Sequence, residues 1–204
     1  MVERQLEARG IADRRVLDAM GRVPRELFVA ESDRGLAYAD VPLPIGYGQT
    51  ISQPFMVALI CEAAGVREGD RVLDVGAGSG YQAAVLAELG AKVDAIERIP
   101  ELAELARGNL GRAGYERVTV HVGDGSLGLP EEAPFDVIVV AAAAPHIPPA
   151  LYEQLEYGGR LVVPVGGTRE QCLELVSKSP EGPAVVRSVS CRFVPLVGAA
   201  GYRT

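Results

Sequence analysis

From Arg71 onward, short apolar runs alternate with stretches in which apolar residues recur every three or four positions. The runs 71–75, 92–96, 118–122, 135–140 and 160–165 have the length of strands. Between the first three lie residues 81–89 and 101–113. In the second of these, Leu102, Leu105, Ala106, Leu110 and Ala113 mark one face of a helix. Residues 135–140 are almost all apolar after Asp136, the pattern of a strand buried on both sides. This alternation predicts an α/β fold built on a doubly wound, mostly parallel sheet. After Gly167 the helical period fades. Residues 172–178 and 184–196 read as a terminal pair of strands at an antiparallel edge, their order left open.

Ahead of this region the pattern changes twice. Residues 2–9 read as a helix stopped by Gly10, and 13–20 as a second one capped by Asp13 and ended before Pro24. Leu6, Val16, Leu17 and Met20 would supply their buried stripe. Residues 38–53 follow neither period and contain two prolines and two glycines among apolar residues. An irregular segment of this length inside a compact domain is usually functional. Pro54 then suits the first turn of a helix reaching about residue 64.

The 204 residues are 48% hydrophobic and 23% charged, enough for one domain with a full core. The net charge of −7, with no dense run of lysine or arginine, argues against a nucleic-acid partner. Cys61, Cys172 and Cys191 are odd in number and far apart, which predicts neither a disulfide framework nor a zinc site. Cys61 and Cys191 are expected to be buried small hydrophobes. Residues 1–10 carry four charges and no apolar core of a secretory signal, and no apolar run approaches membrane-spanning length. A cytoplasmic protein, by default a monomer, with no membrane partner and no metal, is expected.

The most informative chemistry is Asp74-Val75-Gly76-Ala77-Gly78-Ser79-Gly80, a strand that ends in an acid and turns through three glycines into a helix. Glycine lets the backbone turn tightly and lets a ligand approach it. The helix start offers free N–H groups. Ligands bind outside the strand C-termini at the crossover, where loops 74–80, 97–100 and 123–126 should converge. Glu97 ends the second strand 21 residues after Gly76, placed to accept both hydroxyls of a ribose. A dinucleotide fingerprint requires a small residue where Tyr81 stands. The glycines led by Asp74 instead resemble the first motif of S-adenosylmethionine-dependent methyltransferases, and Gly123-Asp124-Gly125 resembles that group's adenine-contacting segment.

The irregular segment makes the likeness narrower. Leu43-Pro44-Ile45-Gly46-Tyr47-Gly48-Gln49-Thr50-Ile51-Ser52-Gln53-Pro54 resembles the signature of the protein-L-isoaspartate (D-aspartate) O-methyltransferase family. The likeness continues in Val23-Pro24-Arg25, Arg71–Val75 with Gly76, Ala133-Pro134-Phe135-Asp136, the stretch 158–166 and Arg192-Phe193-Val194-Pro195-Leu196. It spans nearly the whole chain, and Thr50-Ile51-Ser52-Gln53-Pro54 is its most diagnostic part.

The resemblance implies a single methyltransferase domain of Rossmann-like type over 1–204. It would comprise N-terminal helices and a substrate segment (1–53), a cofactor-binding core (54–167) and C-terminal strands (168–204). It implies S-adenosylmethionine as cofactor, S-adenosylhomocysteine as product, and isoaspartyl-containing proteins and peptides as partners. The methyl group would go to the isoaspartyl α-carboxylate, and the ester would then close to a succinimide without the enzyme. Cofactor contacts are expected at Asp74, Gly76, Ala77, Gly78, Ser79, Glu97, Arg98, Asp124 and Gly125. Substrate contacts are expected at Gln49, Thr50, Ile51 and Ser52. Ser52 would be the catalytic position, orienting the carboxylate through its hydroxyl; its structural alternative is to cap the helix ahead of Pro54. His121 and His146 are expected to be structural, since a carboxylate with pKa near 4 is already ionised at neutral pH.

Three other readings stay open at this point. They are a relative that methylates a biosynthetic peptide, a nicotinamide-dependent oxidoreductase, and a non-catalytic binding protein on the same fold. The first would carry a C-terminal extension, and this sequence stops at Thr204, soon after the Arg192–Leu196 element.

Overall fold

The computed structural model describes residues 1–167 and 169–203, Ser188 by its backbone alone. Thr168 and Thr204, the bounds expected for the C-terminal segment, lie outside the described residues. In chain order the elements are α1 (Arg14–Arg22), β1 (Leu43–Gly46), β2 (Gln49–Ile51), α2 (Pro54–Ala64), β3 (Arg71–Val75), α3 (Tyr81–Glu88), β4 (Lys92–Glu97), α4 (Pro100–Ala113), β5 (Thr119–Val122), β6 (Phe135–Val140), α5 (Pro149–Glu153), β7 (Leu155–Gly166), β8 (Gln171–Ser179) and β9 (Gly182–Cys191).

One sheet runs in the order β5-β4-β3-β6-β7-β8-β9. The first five strands in that order are parallel, and β8 runs antiparallel between β7 and β9. The last two strands therefore lie in sequence order. The short connection from Gly166 to Gln171 allows a hairpin but no crossover, so β8 returns beside β7. Alternate residues of β3 face opposite layers: Val72 packs with α1 to α4, and Leu73 and Val75 with α5 and Leu196. The second layer is thin: α5, its one α-helix among the described residues, has only five residues.

Most predicted elements stand within a residue or two of their expected bounds. The expected helix 2–9 is instead a π-helical turn, Val2–Leu6, followed by a 3₁₀ turn, Glu7–Arg9, which Gly10 ends. Asp13 caps α1 as expected, accepting from the Arg15 N–H at 2.9 Å. Leu6, Val16, Leu17 and Met20 are all buried. On α4, Leu102, Ala106 and Leu110 are buried, but Leu105 is exposed and Asn109 takes an inward place. Cys61 is buried as expected, whereas Cys191 is only half-buried on the edge strand β9. No helix among the described residues is long and apolar enough to cross a membrane.

Strand β7 starts at Leu155, five residues before the expected run 160–165, and α5 stands where the pattern shows no helix. Two further regions also differ from the pattern-based reading. Residues 38–53 contain the β1–β2 hairpin, with Leu43 opposite Ile51, both buried, and a turn at Tyr47-Gly48. Pro44 within β1 hides the period-2 signal. Strand β9 stops at Cys191, five residues before the expected end at Leu196. Residues 194–196 instead meet the end of β6: the Ala143 N–H donates to the Val194 carbonyl at 2.8 Å, and the Leu196 N–H donates to the Ala143 carbonyl at 2.7 Å. This places 194–197 above the strand C-termini, where the sheet rule puts the ligand.

Candidate active site

The floor of the site is the loop after β3. Gly76, Gly78 and Gly80 all have positive φ (90°, 53° and 87°), a region that costs an L side chain free energy. Gly80 also allows α3 to pack on α4, since a Cβ there would lie 3.1 Å from Leu110 and 3.3 Å from the Ala106 carbonyl. Asn109 of α4 fixes the loop, its Nδ2 donating to the Ser79 carbonyl at 2.8 Å.

The loops after β3 and β4 are tied together by Glu97. Its Oε2 accepts from the Gly78 N–H and its Oε1 from the Ile99 N–H, both at 3.0 Å. Each oxygen keeps further acceptor capacity, and Glu97 lines the cleft. The third loop approaches closely at Gly125, where a Cβ would stand 2.7 Å from Val75 Cγ1.

These loops enclose an open cleft of about 910 Å³, its mouth included. Of the expected site residues, Gln49, Thr50, Ile51, Ser52, Gly76, Ala77, Gly78, Ser79, Glu97, Arg98 and Gly125 line it. The walls also include Ile45, Tyr81, Gln82, Ala141 and 194–197. Two expected residues are not on the wall. Asp74 lies beneath the loop, fully buried, its Oδ1 accepting from Gln82 Nε2 at 2.7 Å. Asp74 Oδ2 and Gln82 Oε1 are buried with no hydrogen-bond partner among the described residues. Burial first, and then the nearby Glu97 charge, push the Asp74 carboxyl up to about 7, against the pull of the Gln82 bond.

Asp124 is engaged within the protein. Its Oδ1 accepts from the Ser126 N–H (2.9 Å) and hydroxyl (2.6 Å), and its Oδ2 from the Ala199 N–H (2.7 Å). Partial burial works to raise its pKa, but the bonds from Ser126 and Ala199 outweigh burial and hold it below the usual carboxylate range. The carboxylate thus pins the turn at 198–202, which follows the cleft residues Leu196 and Val197. The resemblance of Gly123-Asp124-Gly125 places this acid at a ligand, whereas the contact to Ala199, 75 residues away, leaves no mark on the sequence.

A second opening lies beside the first, lined by Pro42, Thr50, Ser52, Gln53, Met56, Ala141, Arg192, Phe193 and Val194. Thr50, Ser52, Ala141 and Val194 belong to both, so the two clefts meet there. Ser52 does not cap α2. The capping residue position is Gln53, which makes no side-chain cap bond; Asp40 Oδ1 reaches across to accept from the Phe55 N–H at 2.8 Å. Neither histidine lines either cleft: His121 pairs with Asp94 at 2.9 Å, and His146 is exposed.

Sequence reasoning did not assign Gln82, Asn109, Asp40 or 194–197 to the site. The stretch 192–196 carried a signal, because it formed part of the resemblance, yet the pattern placed it in a strand. Asp40 and Asn109 had none, since both act through contacts distant in sequence.

The family model described as protein-L-isoaspartate (D-aspartate) O-methyltransferase (PCMT) matches residues 1–201. The protein-L-isoaspartate O-methyltransferase of Koribacter versatilis is 54% identical, over 99% of this chain and 91% of its own. That of Methanoculleus marisnigri is 53% identical, over 100% and 92%. A solved protein-L-isoaspartate O-methyltransferase superposes with a TM-score of 0.87 at 32% identity, covering 98% of this chain and 67% of its own. A Plasmodium falciparum structure described as a beta-aspartate methyltransferase (PCMT), in complex with S-adenosyl-L-homocysteine, gives a TM-score of 0.83 at 28% identity, covering 95% of each. With a match across almost every residue, the chain belongs to the protein-L-isoaspartate (D-aspartate) O-methyltransferase family.

Proposed function

We propose that this chain transfers a methyl group from S-adenosylmethionine to the α-carboxylate of L-isoaspartyl residues in damaged proteins and peptides. The observation that carries the reading is the meeting of two clefts at Thr50, Ser52, Ala141 and Val194. One cleft has the features of a nucleoside site, and the other opens to the surface beside the catalytic position.

The residues fit the cofactor. Glu97 has acceptor capacity left for two vicinal hydroxyls. Gly76, Ala77, Gly78 and Ser79 offer backbone, with no long side chain, at the start of α3. The orphaned Oε1 of Gln82, a residue on the cleft wall with Asp74 behind it, suits a hydrogen-donating group such as an ammonium. Arg98 and Gly125 close the adenine end, and Asp124 supports it by holding the 198–202 turn. Tyr81, buried where a dinucleotide site needs a small residue, speaks against the nicotinamide reading.

When bound, S-adenosylmethionine supplies an activated methyl group on a sulfonium. The chain's own task is alignment and exclusion of water, and orientation alone is worth several kcal/mol. The substrate carboxylate needs no base, which agrees with the absence of both histidines from the cleft walls. Ser52 holds the carboxylate by a hydroxyl hydrogen bond at the mouth between the clefts. Gln49, Thr50 and Ile51 line the same passage. We further propose that residues 1–204 act as one methyltransferase domain, monomeric and cytoplasmic, without nucleic-acid or membrane partners.

The test uses methyl-labelled S-adenosylmethionine and two peptides that differ only in an isoaspartyl or aspartyl linkage. Labelling of the isoaspartyl peptide alone is expected. Equal labelling of both would end the repair assignment, and cofactor binding with no labelling would favour a non-catalytic protein.

A further inference from the structure

Arg25 is the largest fully buried side chain in the protein. Its Nε donates to the Ala37 carbonyl at 2.7 Å, and its Nη2 to the Ser52 carbonyl at 2.8 Å. The guanidinium carbon stands 4.6 Å from the centre of the Tyr81 ring. Nη1 is buried without a hydrogen-bond partner, and no carboxylate lies within ion-pair distance among the described residues. A buried, unpaired cation costs several kcal/mol, so a position that keeps one without a pairing acid calls for an explanation beyond packing.

Its contacts supply one. Ser52 lies where the two clefts meet, and Tyr81 lines the cofactor cleft. One planar group therefore ties the Ser52 main chain to the wall on which the cofactor rests. Tyr81 has other supports: Phe28 packs edge-on at 5.5 Å, and the Tyr81 hydroxyl meets Met20 Sδ at 3.7 Å. Ser52 has fewer, since its hydroxyl makes no hydrogen bond within the protein among the described contacts. The fixed positive charge behind Ser52 also favours an anion at the mouth, in a chain whose net charge is −7.

We infer that Arg25 is a positioning residue for methyl transfer. It holds Ser52 in register with the cofactor wall and places a buried positive charge behind the site of the substrate carboxylate. This rests on the function proposed above. The carboxylate of Asp40 acts on Arg25 from a distance but is occupied by the Phe55 N–H and by Arg9, so it does not neutralise the guanidinium by direct contact.

Arg25→Met and Arg25→Lys separate this from a packing role. For Arg25→Met, kcat/KM toward the isoaspartyl peptide should fall about 100-fold, the scale of a lost charged hydrogen bond. Lysine keeps the charge but not the fork and should recover part of that, leaving a loss of roughly 10-fold. The affinity for S-adenosylhomocysteine should stay within about threefold in both, because Tyr81 keeps Phe28 and Met20. Equal losses in peptide turnover and in cofactor affinity, or peptide turnover near the wild type, would overturn the inference. If the methionine variant fails to fold, the lysine variant decides by the same criteria.

Hydrogen exchange over residues 49–53 reads the clamp with no substrate present. It should quicken about 10-fold in Arg25→Lys, and unchanged exchange would also overturn the inference. Failure of the wild-type chain to label the isoaspartyl peptide would instead count against the proposed function, and the exchange measurement would still judge Arg25.

Discussion

On the glycine-loop wall of the cleft, the groups that face a ligand are backbone atoms set by φ at Gly76 and Gly78, with Glu97 joining two neighbouring loops. On the hairpin wall, Thr50 to Pro54 is held by side chains that reach across the fold: Asp40 to the Phe55 N–H, 15 residues on, and Arg25 to the Ser52 carbonyl, 27 residues on. The first wall is encoded where it stands. The second depends on residues elsewhere arriving in the right place. A cofactor of fixed shape suits the first, and an irregular, adaptable strap suits a peptide substrate. Substitutions should therefore divide cleanly between loss of cofactor affinity and loss of peptide turnover.

The largest effect is expected under the glycine wall. The Asp74 carboxyl titrates near 7 in the folded chain against 3.8 as its ordinary value. As pH rises above about 4, the unfolded chain releases that proton while the folded chain keeps it, so stability declines until about pH 7 and is flat beyond. Asp74→Asn removes the decline. The variant should be more stable than the wild type at pH 8 by an amount on the order of a few kcal/mol, and nearly equal to it at pH 4. Urea unfolding of the cofactor-free protein measures this, and parallel pH profiles would show that the buried acid is ionised at no cost.

Next in size is Glu97→Ala, which removes the acceptor shared by two loops and by the proposed ribose hydroxyls. Affinity for S-adenosylhomocysteine, read by calorimetry, should fall by about 2–3 kcal/mol. Ser52→Ala on the opposite wall should lower kcat by about 30-fold, close to 2 kcal/mol, with cofactor affinity within about threefold. Comparable losses in both quantities would mean that the two walls are not separable. Smallest is Asp40→Ala, which uncaps α2: about 1 kcal/mol of stability and a higher KM for the peptide are expected, with cofactor affinity unchanged. A weakened cofactor would place Asp40 with the wrong wall.

The same contrast explains what could be read from the chain. Strands β3 and β6 and helix α2 announce themselves by apolar runs and by Pro54, because burial on a sheet imposes a period on sequence. The cofactor loop is equally legible, since its run of positive φ values favours glycine. The hairpin was hidden by Pro44, and α5 is too short to show a period. Asp40 and Asn109 look like ordinary surface polar residues along the chain, and Arg25 is marked only by its place in the Val23-Pro24-Arg25 likeness; the fold turns all three inward. Asp124 has a long-range contact that the chain does not announce either. It stands in the expected loop, yet its carboxylate meets Ser126 and Ala199. Substrate identity lies beyond any such period and came from the 43–54 motif.

Crystals grown with S-adenosylhomocysteine and an isoaspartyl peptide test the meeting of the two clefts most directly. The sulfur should lie over Gly76–Gly78, with the peptide entering from the cleft lined by Arg192 and Phe193. Its free carboxylate should stand within hydrogen-bond distance of Ser52 Oγ, roughly 2.5–3.0 Å. A peptide seated elsewhere, or a Ser52 hydroxyl walled off from the sulfur, would contradict the account.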